Sequence, residues 1–149
     1  MKSERQLQLV NFEQAQRLKA LGFNWEVNAY YVAAAATPFD EPLFATGMGL
    51  DDWGRNNFNV DKSICSAPTI ALALKWIREA KFITSFIEAK NDDVFYWHFY
   101  WYVDISDRGL EKMDCLGNAN SYEDAEFALL NRIMAYLEHL EKIGGGLGV

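Results

Sequence analysis

The stretch Phe95-Tyr96-Trp97-His98-Phe99-Tyr100-Trp101-Tyr102 decides the fold. Seven of its eight side chains are aromatic, and the eighth is one of only two histidines in the chain. Aromatic residues favour a pleated, half-buried surface. In an extended strand, alternate side chains point to opposite faces. Phe95, Trp97, Phe99 and Trp101 therefore share one face, which Val103 and Ile105 continue. That face is too apolar to be left in water and is expected to lie under one or two helices. Tyr96, His98, Tyr100 and Tyr102 share the other face. Tyrosine tolerates both burial and water, so this row is either a covered core face or a recognition surface.

The neighbouring residues extend the strand into a hairpin. Ile83–Lys90 alternates, with Phe86 and Ile87 on opposite faces, and Asn91-Asp92-Asp93 is a turn signal. Residues 83–105 thus read as a β-hairpin of open register, since turns of two, three or four residues all fit. A slip of one residue would exchange every facing pair. After Asp107-Arg108-Gly109, Leu110–Leu116 is a candidate third strand at an edge, and Gly117–Asn120 reads as a loop.

Three amphipathic segments supply the covering helices. Asn11 with Gln14 forms a capping box, Val10 and Ala15 are placed as a hydrophobic staple, and Gly22 terminates, which predicts a helix over about 12–21. Ser66 is the N-cap expected for a helix over about 67–82, with Pro68 in its first turn. Its stripe is Ile70, Ala73, Leu74, Ile77 and Ala80, widened by Leu72 and Trp76. Ser121 caps a helix over 122–142, whose apolar face holds Ala125, Leu129, Ile133, Tyr136, Leu137 and Leu140. The expected fold class is α+β, with an antiparallel sheet on the central aromatic hairpin packed by these three helices. A further strand is expected over roughly 26–35, although Ala33–Ala36 also suits a helix. The expected organisation is a single domain over 1–143 with a flexible glycine-rich tail at 144–149. Residues 37–65 form a long irregular insertion in which Leu43–Thr46 is the candidate strand.

Composition narrows the function classes. The net charge is −7, from 21 acids and 14 bases, and disfavours approach to nucleic acid or an anionic membrane. The cations Lys75, Arg78 and Lys81 lie near Glu79 and form no basic run. No stretch reaches the length of a membrane span and no secretory leader is evident, so a cytoplasmic protein with two reduced thiols, Cys65 and Cys115, is expected.

Catalytic signatures do not assemble. His139 lies on the polar face of the last helix, and His98 reads as a half-buried strand residue. Cys65, His98, Cys115 and His139 lack metal-ligand spacing, so no metal is expected. Asp40, Glu41, Asp51 and Asp52 do not form a calcium loop. Gly47-Met48-Gly49 lacks the glycine, lysine and helix of a phosphate-binding loop, and no cofactor is expected. Cys65, just before a helix, reads as a packed and inert thiol.

Three stretches carry a resemblance: Asn11-Phe12-Glu13-Gln14-Ala15 through Leu21-Gly22-Phe23-Asn24-Trp25-Glu26, Ser66-Ala67-Pro68-Thr69-Ile70 through Trp76-Ile77-Arg78-Glu79, and Ser121-Tyr122-Glu123-Asp124-Ala125-Glu126. Their order and wording resemble small uncharacterised proteins of prophages and other mobile elements of Bacteroides-like bacteria. The second stretch is the most specific, and the 37–65 insertion lies outside the likeness. The resemblance implies a mobile-element origin and brings no activity, ligand or catalytic residue. The layout of hairpin, loop and Ser-capped helix also resembles HicB-type antitoxins at the level of fold.

The expectation is a non-enzymatic protein-interaction module with an unidentified protein partner or a second copy of itself, recognised on Tyr96, His98, Tyr100 and Tyr102. One alternative is a small-ligand-binding protein or enzyme. Its pocket would lie between the sheet and the 37–65 loop, lined by Trp53, Phe58, His98 and nearby acids. The other is an antitoxin-like or acidic nucleic-acid-mimicking protein.

Overall fold

The computed structural model describes residues 7–38, 40–46 and 55–143. Trp53, the Gly47-Met48-Gly49 stretch and the 144–149 tail lie outside them. The protein is α+β, with two three-stranded antiparallel sheets where one was expected. The chain divides into two compact units, Met1–Ala73 and Leu74–Val149.

In the first unit, α1 (Phe12–Ala20) starts at the expected capping box. Asn11 Oδ1 accepts from the Gln14 N–H, and Gln14 Oε1 accepts from the Asn11 N–H. Val10 and Ala15, the two ends of the staple, are both buried. The sheet has the order β2-β1-β3, from β1 (Ala29–Val32), β2 (Leu43–Thr46) and β3 (Ile64–Ser66). The expected 26–35 strand is shortened because Ala34–Ala36 coils into a 3-10 turn. The candidate strand in the 37–65 insertion pairs as β2, and the insertion's far end returns as β3. Leu43, Phe44 and Ile64 of this insertion thus lie in strands of the β2-β1-β3 sheet.

Polar side chains pin this unit. Lys19 Nζ donates to the carbonyls of Asp61 and Ile64, the latter at 2.7 Å, and so ties α1 to the start of β3. Asn59 Nδ2 donates to the Phe23 carbonyl at 2.9 Å, while its Oδ1 accepts from the Ser66 N–H at 2.7 Å. Truncating Asn59 would strand both backbone groups. Asn59→Ala is expected to cost about 2 kcal/mol, read as a lower urea midpoint at unchanged slope.

The second helix departs from its expected start. α2 (Ile70–Lys81) is capped by Thr69, whose Oγ1 accepts from the Leu72 N–H, and not by Ser66. Ser66 lies in β3 with its hydroxyl accepting from the Phe58 N–H, a contact eight residues back that local spacing cannot reveal. Pro68 precedes the helix, and its carbonyl accepts from the Val10 N–H. α2 ends at Lys81, and Phe82 after it takes a left-handed φ of 60° and is 77% exposed before the buried Ile83. That conformation is costly for a bulky residue and free for glycine. Phe82→Gly is therefore expected to stabilise the fold by about 1 kcal/mol, seen as a higher thermal midpoint.

The second unit holds the aromatic sheet, in the order β4-β5-β6: β4 (Thr84–Asn91), β5 (Val94–Ile105) and β6 (Gly109–Ala119). A two-residue turn, Asp92-Asp93, and a bulge between Ala89 and Asn91 set the hairpin register, with Phe86 opposite His98 and Ile87 opposite Trp97. The expected third strand is present at the edge and runs on through Gly117, the residue that had marked its end. α3 (Tyr122–Lys142) has the expected bounds and cap, with Ser121 Oγ accepting from the Asp124 N–H. α3 packs on this sheet, and α1 packs on β3 in the first unit.

The Phe/Trp face of β5 is the core of this unit, as its alternation predicts. Trp97 and Phe99 are buried, and Trp101 packs against Tyr136 of α3 with ring centroids 4.2 Å apart and planes tilted by 35°. Beyond Trp101 this face leaves the helix, and Val103 is 40% exposed. The buried stripe of α3 is wider than expected, since it adds Glu126, Leu130 and Met134. Burial, reinforced by the nearby Glu123, raises the Glu126 carboxyl above the usual carboxylate range. The folded state then keeps a proton that the unfolded chain has already released. Stability falls as pH rises from the ordinary glutamate value through the raised one. Glu126→Gln is expected to raise stability at pH 7 by about 1 kcal/mol and to lose that gain near about pH 4, seen as a higher thermal midpoint at pH 7 only.

Candidate interaction face

The register brings Tyr96, His98, Tyr100 and Tyr102 onto one face of the second sheet, opposite the α3 side. It adds residues that spacing alone could not assign to this face. Thr84, Phe86 and Glu88 come from β4, and Leu110, Lys112, Asp114, Leu116 and Asn118 from β6. Tyr96, His98 and Tyr100 are half-buried by their neighbours, whereas Phe86, Tyr102, Leu110 and Leu116 are exposed. An exposed patch with several large apolar side chains marks a contact surface more often than a bare one.

Local geometry fixes the side chains of this face. Phe86 and His98 stack face to face, with centroids 4.3 Å apart and planes 8° from parallel. This pair follows from their directly opposed positions in the ladder. The His98 Nε2 lies 3.7 Å from a Glu88 carboxylate oxygen, beyond hydrogen-bond reach. Tyr100 and Tyr102 meet edge to face at 6.0 Å. Lys112 Nζ lies 4.4 Å from the centre of the Tyr100 ring, and Lys90 Nζ lies 5.7 Å from that of Tyr96. Tyrosine ring faces here already accept cations from within the chain. Glu88, Asp104 and Asp114 provide the acids of the face.

The far end of β5 and β6 forms an arm. β4 pairs with β5 only as far as Tyr100, so among the described strands Trp101–Ile105 and Gly109–Met113 pair only with each other. A two-stranded ribbon is marginal in water without something to cover it. Its outer residues Tyr102, Val103, Leu110 and Met113 are all exposed.

The other sequence-predicted residues fall elsewhere. Phe58 sits in a 3-10 turn of the first unit and packs on Tyr30, with centroids 4.5 Å apart. Cys65 is buried in β3 rather than poised at a helix start, and burial pushes its thiol up despite the partly offsetting charge of Lys19. Both cysteines are free. Among the described residues, no three His, Cys, Asp or Glu side chains form a group able to hold a metal ion. No helix among them is long and apolar enough to cross a membrane.

No protein-family model, curated protein or solved structure matches this chain.

Proposed function

We propose that the chain is a non-enzymatic protein-interaction module of the cytoplasm, of mobile-element origin, and that it recognises its partner on the Tyr96–Tyr102 face. One observation carries this reading: Phe86, Tyr102, Leu110 and Leu116 stand exposed together on the side of the sheet opposite α3. Aromatic residues are enriched where proteins meet, because they offer large rigid contact area with a polar tip. The complementary partner surface presents apolar side chains to Phe86 and Tyr102 and arginine or lysine to Glu88 and Asp104. The net charge of −7 favours such a cationic rim and works against a nucleic-acid ligand. The three resembling stretches and the two thiols support the origin and the compartment.

The test compares three immobilised chains against lysate of the source organism: the wild type, a Phe86→Ser/Tyr102→Ser variant, and a Val60→Ser control. Val60 is 81% exposed and lies in the first unit. A protein retained by the wild type and the control but lost from the Phe86/Tyr102 variant supports the reading. Retention by all three chains, or by none, overturns it.

A further inference from the structure

We propose that β6 pairs antiparallel with β6 of a second copy about a twofold axis through Met113, which joins two three-stranded sheets into one of six strands. This rests on the interaction reading above, since it extends the same tyrosine face across two copies. β6 is an edge strand of eleven residues with β5 as its one partner strand among those described. Gly109–Asp114 is exposed without interruption. A long exposed edge with unpaired backbone groups is a template for another strand.

The sequence of β6 is complementary to itself in one register. With Met113 on the axis, Lys112 faces Asp114 of the second copy, and Leu110 faces Leu116. Symmetry repeats each pair. All four residues lie on the Tyr96–Tyr102 side of the sheet. Directly opposed residues of an antiparallel pair share a face, so the axis must pass through a residue and not between two. An axis through Lys112, Asp114 or Glu111 sets like charges against each other. An axis through Cys115 sets Asp114 against Leu116 and Lys112 against Asn118. The Met113 register alone matches both charges and both leucines. It also gives the two-stranded β5–β6 arm a third and fourth strand, and Leu110, 72% exposed, a partner in Leu116, 60% exposed.

The test is a charge swap read by sedimentation equilibrium. The wild type is expected to be a dimer. Lys112→Asp alone sets acid against acid, and Asp114→Lys alone sets base against base. Each is expected to weaken dimerisation about tenfold or more. The double variant Lys112→Asp/Asp114→Lys restores opposite charges and is expected to recover the dimer. Both positions are exposed, and circular dichroism of each variant verifies the fold. A monomeric wild type, or single variants that dimerise as well as the wild type, overturns the proposal, as does a double variant no better than the singles. A monomer that still retains its partner through the tyrosine face removes the edge pairing only. A charge-swap-sensitive dimer whose partner retention ignores the face variants removes the recognition reading only.

Discussion

Gly117→Ala is expected to be among the most damaging single-methyl changes in the chain, at about 3 kcal/mol or more. Gly117 lies directly opposite Trp97 in the β5–β6 ladder, and the indole lies over it. A Cβ at Gly117 would fall within the Trp97 ring, with Cη2 at 2.8 Å and two other ring atoms closer still. Something must shift. Trp97 is buried and stacked with Phe99, so the ring has little room to move. The thermal midpoint of the second unit should fall by roughly 10–20 °C. The same test distinguishes the cause. If the ring is the obstacle, Gly117→Ala should cost much less in a Trp97→Leu background than in the wild type. Additive costs would show that the glycine is needed for another reason.

Phe99→Ala is expected to cost about 3–5 kcal/mol, while Tyr100→Ala, one residue on, costs about 1 kcal/mol or less. Phe99 is 3% exposed and stacked between Trp97 and Trp101, with centroid separations of 6.3 and 5.6 Å. Its removal leaves a cavity beneath α3 that close-packed neighbours fill only in part. Tyr100 points to the opposite side, where its ring meets Tyr102 and Lys112 and is only half-buried. Denaturant unfolding of the two variants compares the faces of one strand directly. Equal costs would mean that both faces are core.

These contrasts mark what local sequence makes legible and what it leaves open. The caps at Asn11 and Ser121 place α1 and α3 within a residue of their ends, because capping chemistry is local. The alternation of β5 assigns its buried face for the same reason. Ser66 misleads because its hydroxyl serves Phe58 across a turn, which leaves the cap to Thr69. Gly117 misleads because glycine ordinarily ends strands, whereas here it makes room for an indole on the neighbouring strand. The candidate face was half legible. Its tyrosines and His98 follow from parity alone. Phe86, Leu116 and Lys112 join them only through a register that the bulge at Ala89/Asn91 and the Asp92-Asp93 turn decide.

One side of β5 packs the core, and the other is where the proposed partner would bind. Hydroxyl-radical footprinting of the free chain and of its complex with the retained protein tests this most directly. Phe86, Tyr96 and Tyr102 should be oxidised in the free chain and protected in the complex, with Trp97 and Phe99 protected in both. Protection of the tyrosine face in the free chain, or its continued oxidation in the complex, would contradict the account.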